Sequence, residues 1–329
     1  MLKEPLISII LNINENTQHL EKCLKTLTFQ MYENIEIICV ESNISNETSE
    51  IINSYAQKDT RIKRFPQNNT CSSSARNFGI LLSMGEYISF ANPDDWAMLD
   101  LYQVFVNSLN SVDDLDVYIF NTSFYSDKFE DIPGYEFFAE EDILNNDINN
   151  TPHTFKDIRN LLTKNFFITN KIYKKQFLEE NNIRFVDEKI ASDYLFNVQT
   201  LIKAKNIIIT PEAYCRHRFN QHIEGSDTEK VFDIFYINHE IFNFLSKENL
   251  MNYYLMEFFN FMCNSYPSYY KICPENLKYN YFETMRNDLL GFYNIMPQGA
   301  KDFLKNIKEA EFMLNSSFEE FKEKYSDND

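Results

Sequence analysis

Between Leu6 and Phe90, short apolar runs alternate with amphipathic segments of helical period, and that alternation leaves the chain few architectures. Leu6–Leu11, Ile35–Val40, Ile62–Phe65 and Glu86–Phe90 are rich in β-branched and aromatic residues and have the length of buried strands. Thr17–Gln30 places Leu20, Cys23, Leu24 and Leu27 on one helical face, Glu47–Ala56 turns Ile51, Ile52 and Tyr55 inward, and Ser73–Leu82 opens on serines suited to a helix start. Strand, helix, strand at these lengths predicts parallel βαβ units, hence an α/β fold with helices on both faces of a mostly parallel, twisted sheet. Val117–Phe124 adds a strand and Ile207–Thr210 a short final one. Helices are expected over Phe155–Thr163, Lys174–Glu180 and Asp193–Lys203. Ser126–Asn150 is polar, acidic and weakly periodic, which predicts a long loop beside the sheet. Beyond Ser226 only helical spacing remains, so a boundary near residue 225 divides an α/β domain, 1–225, from a helical C-terminal region, 226–329.

Sheets of this kind bind ligands at the carboxyl ends of their strands. In GEYISFANPDDW, Gly85–Trp96, a strand runs into Pro93, Asp94 and Asp95. Paired carboxylates there suit a hard divalent cation holding a diphosphate, or else a cap for the helix starting near Leu99. Neighbouring strand ends supply Asn12 and Asn14, then Glu41 and Ser42, then Asn92, groups able to hydrogen-bond a base edge, ribose hydroxyls and a metal. Arg76, in SSSARN, either neutralises a phosphate or pairs with an acid. Arg216, His217, Arg218 and His222 form the dense basic cluster just after the final strand, suited to a diphosphate or acidic acceptor, or else a solvated loop. The first turn reads Asn12-Ile13-Asn14-Glu15. It lacks both GxGxxG and the P-loop, which disfavours a dinucleotide site.

Composition narrows the partners. Lys plus Arg 31 against Asp plus Glu 49 leaves a net charge of -18, which repels nucleic acid and anionic lipid, so a phosphate-bearing substrate must be met by a metal or by local cations. Cys23, Cys39, Cys71, Cys215, Cys263 and Cys273 show no CxxC spacing and are read as reduced, buried thiols. The start, MLKEPLISIILNINEN, has no small-residue cleavage site, and no run reaches the ~18 apolar residues of a membrane span. The expected location is the cytoplasm. Tyr253, Tyr254, Phe258, Phe259 and Phe261 crowd one C-terminal segment, either as a core stripe, as a self-association surface of a homo-oligomer, or as a contact with a lipid-linked acceptor at the inner membrane. Few lysines accompany them, which weighs against the last.

Taken in order, PLISIILNINEN, QMYENIEIICVESNIS, SSSARNFGI, GEYISFANPDDW, NKIYKKQFLEENNIRF and ASDYLFNVQTLIKAK resemble the motifs of family 2 glycosyltransferases with the GT-A fold, of the bacterial polysaccharide and lipooligosaccharide type. The resemblance covers about residues 5–210. It implies transfer of a sugar, with inversion, from a nucleotide-sugar donor, commonly a UDP-sugar, to a hydroxyl of a glycan or lipid-linked acceptor in surface polysaccharide synthesis, with Mn²⁺ or Mg²⁺ as cofactor. By position, Glu41 and Ser42 fall on the two acids of the family's VDDGS motif, the first of which contacts the base. Asn92 and Asp94 fall on the acids of its DxD motif, which makes Asp94 the implied metal ligand. Asp193 falls on the catalytic base of its ED motif, with Ser192 in place of the Glu. A carboxylate beside an acceptor hydroxyl takes its proton as the anomeric carbon is attacked. By its local sequence alone Asp193 is a helix cap or first-turn acid. Lys171 and Tyr173, in NKIYKK, would flank the acceptor. Glu41, Ser42, Asn92, Ser192 and the pair Thr70-Cys71, where the family has two glycines, depart from the pattern. They keep open a second class, a degenerate GT-A protein that binds nucleotide or glycan without turnover.

Overall fold

The computed structural model describes residues 4–14, 18–68, 71–112, 114–126, 151–154, 156–158, 167–187, 189–218, 229–296, 301 and 308–325. The chain clusters into two compact units, residues 1–188 with 196–220 and residues 189–195 with 221–329.

The first unit is built on β1 (Ile7–Ile13), β2 (Ile35–Ser42), β3 (Ile62–Gln67), β4 (Tyr87–Ala91), β5 (Trp96–Ala97), β6 (Val117–Tyr125), β7 (Pro152–His153), β8 (Lys171–Lys174) and β9 (Ile207–Arg218). They form one sheet in the order β3-β2-β1-β4-β8-β6-β9-β5, with β7 paired to β9. The block β3-β2-β1-β4 is parallel, as the strand–helix alternation predicts. β8 enters antiparallel between β4 and β6, so the sheet is mixed. Its helices are α1 (Leu20–Thr28), α2 (Asn46–Ala56), α3 (Ser72–Leu82), α4 (Leu101–Ser108), α5 (Lys175–Glu180) and α6 (Ser192–Lys203), the first turn of α6 falling in the second unit.

Alternate residues of β1 and β2, Ile9, Leu11, Ile37 and Cys39 among them, face Leu20, Leu24 and Leu27 of α1 and Tyr102 and Phe105 of α4. Each such fully buried aliphatic side chain contributes roughly 1.5–3 kcal/mol. On the opposite face α3 lies against β1, so close that a Cβ on Gly79 would sit 2.4 Å from Ile10 Cγ2. A polar tie crosses the amino ends of the strands. Glu36 accepts from Ser8 Oγ at 2.6 Å, Lys63 Nζ at 2.6 Å and Met84 N at 2.7 Å. Burial alone would push the Glu36 carboxyl up, and these three donors hold it below its ordinary range.

The final strand is longer than expected. β9 runs on to Arg218, so Arg216, His217 and Arg218 lie on a strand and not in a loop after it. Pro211 reads as a terminator in sequence, but the β6–β9 register steps from Phe120↔Thr210 to Asn121↔Ala213, leaving Pro211 and Glu212 in a bulge where proline costs no ladder bond. β5 also separates Asp94 and Asp95 from α4, so these acids do not cap that helix. Of the expected loop only Ser126 is described, and residues 155 and 159–163 of the expected helix lie outside the described residues.

The second unit holds α7 (Asp233–Lys247), α8 (Met251–Lys271), α9 (Lys278–Ile295), α10 (Lys308–Asn315) and α11 (Phe318–Tyr325). Phe258 of α8 meets Phe292 of α9 edge-on at 5.4 Å, and Tyr270 meets Phe321 of α11 at 4.9 Å. Tyr254, Phe258, Phe259 and Phe261 are all buried; Tyr253, 66% exposed, is the exception. The aromatic stripe is therefore core, which takes away the feature that suggested a self-association or membrane surface.

Candidate functional site

Parallel register brings the carboxyl ends of β1 to β4 to one edge. Asn12 lies beside Val40, Ile13 beside Glu41, Ser42 beside Gln67, and Leu11 beside Ala91. Asn12, Asn14, Glu41, Ser42, Asn92 and Asp94 thus share that edge. Asn12 Oδ1 is buried and takes no hydrogen bond from any described residue.

The two adjacent carboxylates do different work. Asp95, whose side chain is 3% exposed, accepts from Asn92 Nδ2 at 3.1 Å and from the Arg218 backbone N at 3.3 Å, and lies 2.8 Å from His217 Nδ1. It is engaged on both oxygens, and it pins β9 to the turn after β4. Asp94 is the open one. Its Oδ1 is buried without a hydrogen-bond partner among the described residues, and Arg218 Nη1 stands 3.7 Å from Oδ2. Burial pushes the Asp94 carboxyl up against the pull of Arg218, and the Asp95 charge adds to the rise. His217 is pushed down by burial and up more strongly by the Asp95 carboxylate.

Aromatic groups back this turn. Trp96 pairs with Arg216 across β5 and β9 and packs against Tyr125 with centroids 3.9 Å apart and planes tilted by 46°. The Tyr125 hydroxyl donates to the Asp94 carbonyl. Lys22 Nζ lies 3.1 Å from the Trp96 ring centre, and Phe167 flanks His217 at 4.9 Å. Lys22, Arg216 and Arg218 gather positive charge locally in a chain whose net charge is -18.

One strand over, Glu41 is held from two sides by one arginine. Arg64 Nε donates to Oε1 at 2.5 Å and Nη2 to Oε2 at 2.6 Å. The remaining guanidinium protons go to Ser49 Oγ at 3.0 Å, to the Ser49 carbonyl at 3.4 Å and to Asn53 Oδ1. All five donors of Arg64 are used, which leaves Glu41 a fixed acceptor. Ser42 Oγ accepts from Gln67 Nε2 at 2.8 Å. Arg76, on α3, lies 5.4 Å from the Phe185 ring.

Asp193 belongs to the second unit. It is half-buried in the first turn of α6, after Ser192, which opens the helix. The lead-in is tied to Asp233, which Lys189 Nζ meets at 2.8 Å and the Ile190 N–H at 3.1 Å. Ala191 takes φ +61, a left-handed conformation that costs a side-chain-bearing residue roughly 1–2 kcal/mol. Lys171 and Tyr173, read from sequence as acceptor-facing, are fully buried. Lys171 Nζ donates to the Phe167 carbonyl and to Asn170 Oδ1. His222 lies outside the described residues. Arg64, Lys22 and Tyr125 escape a sequence reading.

Comparisons with known proteins bear on the family and the fold. The model of the family described as glycosyl transferase family 2 matches residues 8–180. The uncharacterized glycosyltransferase EpsJ of Bacillus subtilis is 27% identical over 222 residues, covering 66% of this chain and 62% of that protein, so the chain spans less than two thirds of that relative. The crystal structure of S. aureus TarS 1-349 in complex with UDP-GlcNAc is similar with a TM-score of 0.60 at 17% identity, covering 94% of this chain and 90% of TarS 1-349. The mannosyltransferase PcManGT from Pyrobaculum calidifontis, in complex with GDP-Man and Mn²⁺, is similar with a TM-score of 0.51 at 12% identity, covering 98% and 84%. At such identities the structural likeness shows the fold, GT-A.

Proposed function

The chain belongs to glycosyl transferase family 2, and on that premise we propose that it is an inverting enzyme that moves a sugar from a UDP-sugar to a hydroxyl of a glycan or lipid-linked acceptor in surface polysaccharide synthesis. The observation that carries the proposal is Asp94, a desolvated carboxylate with an unmatched oxygen at the carboxyl edge of a parallel sheet. Among the described residues no three His, Cys, Asp or Glu side chains converge as a cage. One carboxylate nevertheless fits Mn²⁺ or Mg²⁺, which take one or two protein carboxylates and complete their shell with substrate phosphates and water. Such a cation supplies Lewis-acid stabilisation of the departing nucleoside diphosphate. Arg216, His217, Arg218 and Lys22 add positive charge beside the same diphosphate, and Arg76 a further cation from α3. Asn12, Asn14 and Ser42 serve the ribose and base, while Glu41, locked as an acceptor, suits the N3–H edge of uracil. Asp193 removes the acceptor proton as the hydroxyl attacks the anomeric carbon.

The binding of UDP-GlcNAc by TarS, and of GDP-Man and Mn²⁺ by PcManGT, supports this choice of donor and metal. We assign donor chemistry to residues 1–225. No described helix is long and apolar enough to cross a membrane. The proposed setting is the cytoplasm.

The test is a donor panel of UDP-glucose, UDP-galactose, UDP-GlcNAc and GDP-mannose with Mn²⁺, read as nucleotide release. Release from a UDP-sugar is expected, and Asp193→Asn should slow it by about 10²- to 10⁴-fold without loss of donor affinity. Nucleotide binding with no release from any donor would replace the enzyme by the non-catalytic binder.

A further inference from the structure

Between α4 and the bulged stretch of β9, the first unit carries an open groove of about 350 Å³, within the size range of small-molecule sites. The bulge shapes it. Because Pro211 and Glu212 have no partners on β6, Glu212 is thrown clear of the ladder and lines the groove with Thr210 and Tyr214. Beneath them lies Tyr118, 1% exposed, whose buried hydroxyl makes no hydrogen bond of ordinary geometry among the described residues. Thr210 is the polar group beside it, and Thr210 gives its own proton to Glu212. The polar floor and the volume together suit a small ligand.

The lining states what that ligand is. On the α4 side, Ser108 donates to the Phe105 carbonyl and Ser111 to the Ser108 carbonyl, both at 2.6 Å, which leaves their oxygens as acceptors. Glu212 is an acceptor only. Among the described residues no Lys, Arg or His lines the groove, which disfavours phosphates and other anions. The Tyr214 ring supplies an apolar wall. A ligand that offers many hydroxyl donors and one apolar face is a saccharide, and we propose that this groove holds a neutral saccharide chain. β9 carries Tyr214 at the groove and Arg216 to Arg218 beside Asp94, so one strand serves both places. The inference goes beyond the donor chemistry and stands on the groove alone.

The experiment is saturation-transfer NMR of the full chain with maltotriose and with triacetylchitotriose at millimolar concentration, without and then with excess UDP. Transfer to at least one trisaccharide is expected, and UDP should leave it unchanged. Tyr214→Ala and the isosteric Glu212→Gln should each weaken binding about ten-fold, the size of one hydrogen bond to a charged group or one stacked ring. Glu212 is exposed, so its variant tests the site without threatening the fold. The proposal is overturned by no transfer to either sugar, by variants that bind like the wild type, by displacement with UDP, or by binding of 1,4-diaminobutane in their stead. The runs without UDP keep this result legible even if the donor proposal fails.

Discussion

Asp94 and Asp95 are neighbours in sequence, yet one is engaged by His217, Asn92 and the Arg218 backbone while the other keeps a buried oxygen unmatched among the described residues. Sequence alone cannot divide such a pair, because the division depends on β9, more than a hundred residues away. The same holds for Glu41, whose partner Arg64 lies on the next strand. Arg64→Met leaves a buried carboxylate unpaired and should cost about 3–5 kcal/mol in denaturant unfolding. Adding Glu41→Gln should recover much of that loss. Additive losses would contradict the pairing. Trp96 is the chain's one tryptophan and packs against Tyr125, which bonds to the Asp94 carbonyl. Its fluorescence should therefore change when UDP and Mn²⁺ are added, and should stay flat in Asp94→Ala.

Elements made of local periodicity were legible, and elements made by distant pairing were not. β1 to β4 and their helices follow from spacing within a few residues. β5 is two residues long, β8 runs directly into α5, and the second half of β9 hides behind Pro211; each exists because a remote strand supplies its hydrogen bonds. The tie through Glu36 is likewise an element-level device, joining β1, β2, β3 and the end of α3. Its carboxyl lies below its ordinary 4.5 in the folded chain. A lowered value means that the ionised group contributes stability above pH 4.5 and that this contribution is lost as pH falls through the folded value. Glu36→Gln should therefore be less stable than wild type at pH 7 and show a shallower loss below pH 4.5, measured as urea unfolding against pH. Parallel pH profiles of the two proteins would contradict the assignment.

Across the whole molecule, both units bury their thiols. All six cysteines are buried and free, with burial pushing Cys39 and Cys263 up to about 12 and Cys273 up to about 11. Ellman's reagent at pH 8 should find almost no reactive thiol in the native protein and six after guanidinium unfolding. A fast native thiol would contradict the packing. The site was partly legible at this scale too: the order of the strand ends placed Asn12, Glu41, Asn92 and Asp94 on one edge, while the supporting residues Lys22, Arg64 and Tyr125 carried no local signal. The central claim, that this edge holds a nucleoside diphosphate through a cation on Asp94, is tested by calorimetric titration of UDP into wild type and Asp94→Ala, with Mn²⁺ and with EDTA. The account predicts tight binding only for wild type with Mn²⁺, and weak, metal-insensitive binding in the other three cases. Equal affinity for UDP in both proteins, unchanged by the metal, would contradict it.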